Sequence, residues 1–417
     1  MLIKSLKGVL AAVAVTMLGA CSTPCDVSGR LCAPIDPNTR APLAQPRAAP
    51  PVQPVEPAVP EADVQTMPID SPDSPAPEGQ SGAVPGGKQV RVGLLLPLRS
   101  TTLAQPADIL RAGFMAAHAR EGAGFTVEVI ETGDGAQEAL DAYARAVQSN
   151  DIVVGPLSRP AVSAVAGSSA ARKPTIALNH PDAGTVIPPN MLVIGLSIED
   201  EARQAAAWVS REQPGANALI VSGPAAWQRR IATAFADEWA RLGHESQLVE
   251  ISSGSGYEIE MSIGKLNSKV QNEAPNLIFA ALDPFQTRQV RGVIGANVPF
   301  YGASSVNPRA VAGDTLPELD GMRMLDLPWV VQRDNATVMA YPRWAGAELG
   351  LDMERLYALG IDAFRVTREI AQGRTAFELD GVTGKLKGSF GNGNAQFTRT
   401  IPAAVYQAGA TRPILTQ

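Results

Sequence analysis

The chain of 417 residues is 45% hydrophobic, 18% charged and 5% aromatic, and its net charge is -6. That composition is globular, with room for two or three compact units, and with no long block of lysine or arginine it excludes a nucleic-acid-binding role, which needs a clustered basic face. The three cysteines, at positions 21, 25 and 32, all lie near the N-terminus, so the rest of the chain offers no thiol nucleophile, CxxC redox pair or cysteine-based zinc site.

In chain order, Lys4 and Lys7 precede an apolar run from Gly8 to Leu18. The run is too short to span a bilayer and suits the h-region of a secretory signal; no later apolar run is long enough to cross a membrane. Leu18-Gly19-Ala20-Cys21 resembles the lipobox of bacterial lipoproteins. The resemblance implies a signal peptide over 1–20, a lipid on Cys21 and, because Ser22 rather than an acidic residue follows, an anchor in the outer membrane facing the periplasm. An ordinary signal peptide is the other reading of these residues. Cys25 and Cys32 then remain either as a small disulfide loop or as two free thiols.

Residues 21–89 read as a lipidated N-terminus and a disordered Pro-rich tether. Ala33 to Lys88 holds 14 of the 34 prolines and too little apolar mass to bury a core. At about 3 Å per residue it reaches on the order of 150 Å.

From Val90 onward, apolar strands alternate with amphipathic helices. Val90–Leu96, 125–130, 151–154 and 175–178 read as strands, with helices over 107–120, 136–148 and 161–171 between them. A second series follows: helix 200–212, strand 218–221, helix 226–242, strand 247–251, helix 257–272, strand 277–281 and strand 299–302. Helices over 335–348 and 352–372 come next, and a Gly/Asn hairpin lies around Gly391–Asn394. Two such series predict an α/β chain with two Rossmann-like lobes.

The region from Val90 to the C-terminus, about four-fifths of the chain, resembles the type I periplasmic binding protein superfamily. The resemblance is carried by Gly93-Leu94-Leu95-Leu96-Pro97-Leu98, Ala112-Gly113-Phe114 and Gly155-Pro156-Leu157-Ser158. It is closer still to the penicillin-binding protein activator lipoproteins of Gram-negative bacteria. Gly302-Ala303-Ser304-Ser305, Leu319-Asp320-Gly321-Met322, Asp326-Leu327-Pro328-Trp329, Leu356 through Ala363 and Leu379 through Gly384 carry that likeness in order. The resemblance implies a non-enzymatic outer-membrane lipoprotein that binds and activates a class A penicillin-binding protein synthase. The alternative is a lipid-anchored receptor whose lobes close on an amino acid or peptide. A helical repeat domain that the best-known members carry before this region is replaced here by the tether. By superfamily analogy the chain crosses between lobes near Leu196–Glu199, Met322–Pro328 and Gly388. Lobe one is then 90–197 plus 328–387, and lobe two is 198–327 plus 388–417.

Ligands of open α/β sheets sit beyond the carboxyl ends of the strands. That rule selects Ser100, Ser158, Asn179, His180, Ser222, Asp283, Ser304 and Ser305 as the inter-lobe cleft. By analogy with amino-acid receptors, Ser158 would hold a carboxylate and Asp283 an amine; the competing reading is a vestigial cleft with structural turns. No nucleotide loop, HExxH or GxSxG stands in this region, so no cofactor, metal or catalytic residue is expected. Trp329 is a candidate partner anchor or a hinge-packing residue. Trp227, Arg229 and Arg230 form a candidate partner surface or a solvated basic first turn.

Overall fold

The computed structural model describes residues 89–414 except 253, 310–314, 347 and 392–394. The signal segment, Cys21, Cys25, Cys32 and the tether lie outside the described residues, as does the tip of the Gly/Asn hairpin.

The first lobe begins with β1 (Val90–Leu96), α1 (Ala104–Glu121), β2 (Phe125–Glu131), α2 (Ala136–Ser149), β3 (Ile152–Val154), α3 (Arg159–Ala166), β4 (Thr175–Ala177) and β5 (Met191–Val193). All five strands are parallel in the order β2-β1-β3-β4-β5, with Leu94 paired to Val129 and to Val154. Continuous apolar strands such as β1 are buried on both faces because helices cover both sides. Tyr143 and Val162 fill one face, and Phe114 and Phe364 the other.

The chain then enters α4 (Ile198–Glu212), capped by Ser197 Oγ, which accepts the Asp200 N–H at 3.1 Å. It continues through β6 (Ala218–Ser222), α5 (Ala226–Arg241), β7 (Ser246–Glu250), α6 (Gly256–Glu273), β8 (Leu277–Ala281), α7 (Pro284–Ile294), β9 (Phe300–Gly302) and β10 (Arg323–Leu325). These strands are ordered β7-β6-β8-β9-β10, the winding of the first sheet repeated.

Beyond β10 come α8 (Pro328–Val331), α9 (Ala336–Met339), α10 (Leu351–Ala371), β11 (Ala376–Asp380), β12 (Lys385–Ser389), β13 (Gln396–Thr400), β14 (Ala403–Gln407) and β15 (Ala410–Pro413). α10 packs back on α1 in the first lobe. β14 and β15 extend the second sheet as an antiparallel edge, and β11-β12-β13 form a small antiparallel sheet.

Several expectations are corrected. The helix expected over 335–348 stops at Met339, because Pro342 lacks an amide donor and disfavours helical backbone at Tyr341. The helix expected to reach 171 ends at Ala166, with Gly167 after it. β5, α7, α8, β10, β11, β14 and β15 are not among the elements expected from the sequence, whereas β12 and β13 are the strands on either side of the expected Gly/Asn hairpin. Gly388, the expected third crossing, lies inside β12, paired with Phe377 and Phe397; the chain rejoins the second sheet only at Ala403.

Gly113 and Gly360 allow α1 and α10 to touch. A Cβ on Gly113 would lie 2.0 Å from the Tyr357 carbonyl oxygen, and one on Gly360 2.1 Å from that of Leu110. Backbone cannot yield as a flexible side chain does. Gly113→Ala or Gly360→Ala is therefore expected to cost about 1–3 kcal/mol in urea unfolding. Gly264→Ala, in α6 with open space at its Cβ position, should instead stabilise by roughly 0.5–1 kcal/mol.

Candidate functional site at the lobe junction

Most strand-end residues chosen from sequence have internal partners. Ser100 is buried; its hydroxyl donates to Asp134 and accepts the N–H groups of Leu103 at 2.7 Å and Thr102 at 3.1 Å. Asn179 donates to the Leu157 carbonyl at 3.0 Å and accepts from the His180 N–H at 2.8 Å. Ser222 is fully buried and donates to the Gly223 carbonyl at 2.9 Å. Asp283 caps α7, its Oδ1 accepting the Gln286 N–H at 2.8 Å. Ser158 stands half-buried before α3 without a side-chain capping bond, and the Ser305 hydroxyl is buried without a hydrogen bond. These residues share one end of the sheets but do not converge on a common point of chemistry.

Trp329 is 1% exposed, its ring stacked beneath the Arg343 guanidinium at 3.9 Å and its backbone N–H donating to the Val382 carbonyl at 2.9 Å. That burial favours hinge packing over the reading as a partner anchor. Trp227 is half-buried against the second lobe's core. Arg229 and Arg230 are exposed, held by Glu250 at 2.7 Å and by Glu199 at 2.8 Å.

Sequence reasoning missed the polar cluster that joins the lobes. Arg355 on α10 donates to both Asp326 oxygens, at 3.0 and 2.7 Å, and to the Ser304 carbonyl at 3.0 Å. Asn307 donates to Asp326 at 2.6 Å, and Thr411 donates to Asn307 at 2.7 Å. Burial alone would lower the Arg355 pKa, but the Asp326 carboxylate beside it reverses the shift and holds it above its ordinary value. Next to it, Ser304 Oγ donates to Glu201 at 2.6 Å. Burial is the main cause that raises the Glu201 carboxyl above its usual pKa, against the lowering effect of Ser304 and Arg355. The one signal in the sequence was a seven-residue spacing of Arg355, Asp362 and Glu369 along one buried face of α10, which hydrophobic periodicity registers only as interruptions.

The three crossings, 194–197, 326–328 and 401–402, stand side by side and wall a cavity of about 1050 Å³. Of the residues chosen from sequence, only His180 lines it. Burial holds the His180 imidazole below its usual pKa, partly offset by Asp200 at 4.0 Å. Arg399 of β13 also lines the cavity, donating to the Ile194 and Gly195 carbonyls at 2.7 and 3.1 Å and to Thr383 Oγ1 at 3.0 Å. The first crossing is thereby tied to the β11–β12 turn. Part of Arg399 stays open to the cavity, yet its charged end lies deep among protein atoms, and that burial pushes its pKa down to about 10. A second cavity, of about 640 Å³, lies beside Trp329, Trp344 and Tyr357. Among the described residues no group of acidic, His or Cys side chains could hold a metal ion, and no helix is long and apolar enough to cross a membrane.

Two identically wound α/β lobes joined by three crossings define a periplasmic-binding-protein-like chain. The family described as LppC putative lipoprotein matches residues 86–409, and the chain belongs to it. It is 27% identical over 310 residues to the penicillin-binding protein activator LpoA of Yersinia pseudotuberculosis, covering 63% of this chain and 46% of that one. It is 30% identical over 281 residues to LpoA of Pantoea ananatis, with coverages of 56% and 40%. The chain therefore spans less than half the length of these relatives. Among solved structures, a putative branched-chain amino acid ABC transporter from Chromobacterium violaceum aligns with TM-score 0.63 at 33% identity, over 76% of this chain and all of that one. The C-domain of LpoA (YraM) from Haemophilus influenzae, a regulator of PBP1A, aligns with TM-score 0.62 at 23% identity, over 78% of this chain and 100% of its own.

Removing one partner of a buried ion pair strands the other charge. Arg355→Ala is expected to cost about 3–5 kcal/mol in denaturant unfolding. Glu201 has a distinct pH signature. Its folded-state pKa is raised, so the folded state binds more protons than the unfolded chain, and its contribution is complete below the unfolded value of 4.5. That contribution is lost as pH rises through the folded pKa. The stability of the native chain minus that of Glu201→Gln should fall over this window in a pH series of urea melts; a difference independent of pH would refute the assignment.

Proposed function

We propose that this chain is a lipid-anchored regulator that faces the periplasm from the outer membrane and activates a class A penicillin-binding protein synthase by contact. The observation that carries this reading is membership of the LppC lipoprotein family across residues 86–409, together with relatives named penicillin-binding protein activators. The strand-end groups support it: Ser100, Asn179, Ser222, Asp283 and Ser304 are engaged in internal bonds and are not aimed at a substrate. The chain acts as a binder and not as a catalyst. It prefers the active conformation of the synthase and so raises that conformation's population. A lipid on Cys21 and the tether of 21–89 keep the domain at high local concentration near the wall. The likeness to the Chromobacterium structure favours a second reading, an amino-acid receptor closing around Ser158 and its neighbours.

Addition of the full chain to a purified class A synthase is expected to accelerate glycan polymerisation, read by consumption of a labelled lipid-linked precursor. No acceleration of any class A synthase from the same cell would reject the reading. Under the receptor reading, a branched-chain amino acid instead raises the melting temperature saturably, since a ligand bound only by the folded state stabilises it. With Arg229 and Arg230 at the partner surface, Arg229→Ala with Arg230→Ala weakens synthase capture in a pull-down while leaving the fold intact.

A further inference from the structure

The cavity walled by the three crossings is about 1050 Å³, at the upper end of the roughly 300–1,000 Å³ range of drug-sized pockets. It is distinct from the strand-end turns, since Ser100, Ser158, Ser222, Asp283, Ser304 and Ser305 are not among its lining residues. It runs along α4 from the first crossing to Arg211, a helix of 15 residues, hence about 22 Å long at 1.5 Å per residue.

Its charge is unbalanced. Arg203, Arg211, Lys385 and Arg399 line it, against Asp200, Asp380 and Glu201. Asp200 is already paired with Arg203, and Glu201 is buried and turned to the Ser304 hydroxyl, 2.6 Å away. Asp380 stands opposite Lys385 in the β11–β12 ladder, but no ion pair joins them, and Arg211 is likewise exposed and unpaired. Arg399 bonds only to carbonyls and a hydroxyl, so no carboxylate touches its guanidinium. Residues 397–400 of β13 complete the wall, and β13 is the outer strand of its sheet. Phe397 and Trp208 add apolar surface.

We propose that this cavity receives an extended acidic peptide segment of a partner protein, which lies along β13 with its carboxylates at Arg399, Lys385 and Arg211. Strand addition supplies the main-chain bonds, and the spread of cations supplies the choice of an acidic sequence. At about 3.3 Å per residue, six extended residues cover the length of α4. Because all three crossings form the wall, a segment seated there also fixes the angle between the lobes. Contact activation of a synthase is the setting in which such a partner segment has a use, but binding of the peptide is measurable without any synthase.

The test uses the full chain and a fluorescein-labelled hexapeptide alternating glutamate with valine, read by fluorescence anisotropy. Saturable binding that weakens with salt is expected. Lys385→Glu with Arg211→Glu, two exposed residues outside the core, should weaken it about tenfold with an unchanged melting temperature. N-methylation of alternate backbone amides should also abolish it if the peptide adds as a strand. Equal binding of the lysine–valine counterpart, or binding indifferent to the double variant, would overturn the proposal, as would no binding of the acidic peptide. If the double variant loses the peptide yet still stimulates the synthase fully, the cavity is not the partner's seat and the activator reading survives without it.

Discussion

The bidentate contact between Arg355 and Asp326 is the constraint on which the arrangement of the two lobes depends. Asp326 sits on the second crossing with no exposed surface, and Arg355 reaches it from the helix that closes the first lobe. Two buried charges are costly to desolvate, and the cost is offset only where geometry is good and the remaining donors and acceptors are satisfied. Here the Ser304 carbonyl, Asn307 and the Leu327 N–H complete the set. An apolar pair of the same volume would hold the segments together without fixing their orientation. The planar fork on a carboxylate specifies both distance and angle, and on one side it supports α10 and on the other the turn after β9.

That cluster is one of two polar fastenings across the junction. The other is Arg399, which bonds the first crossing to the β11–β12 turn through carbonyl oxygens and the Thr383 hydroxyl, itself donated to Asp362. The two fastenings differ in character. Arg355 is neutralised within bonding distance, so little of its charge acts at long range. Arg399 has no carboxylate within bonding distance; Asp362, Glu201 and Asp200 act on it only from further away. The junction thus holds one cation paired in direct contact and one held by carbonyl oxygens and a hydroxyl.

The sequence made the sheets legible and the junction largely illegible. Apolar runs such as Leu94–Leu96 and Leu277–Ala281 are long enough to read as buried parallel strands, and the Gly and Pro turns after them mark each β-to-α change. β5 and β10 escaped because no α-helix separates them from β4 and β9, so the strand–helix alternation that marks the others passes over them. β13 alternates exposed and half-buried residues, a weaker signal than the continuous apolar runs of the parallel strands. The strand-end rule located the right turns, yet it could not distinguish a hydroxyl offered to a ligand from one already bonded. Ser100 and Ser304 look alike in sequence; each is occupied by a different acid, Asp134 and Glu201, remote along the chain. Trp329 posed the same ambiguity between anchor and packing, and it is the burial of the ring beneath Arg343 that favours packing.

The occupied turns bear on how a binding-protein fold can serve a regulator. A solute receptor needs polar groups at the strand ends that remain unsatisfied until ligand arrives, and such groups destabilise the empty protein. In this chain many of those groups are satisfied internally, so the empty form has less to gain from closing on a small molecule. The feature that persists is the hinge, because three crossings and two lobes remain whatever the turns do. A fold with a hinge and a quiet cleft still has two arrangements, and a partner that contacts the crossings biases between them by differential binding alone. On the reading proposed above, regulation by contact would require no new active centre, only a surface at the junction that a partner recognises.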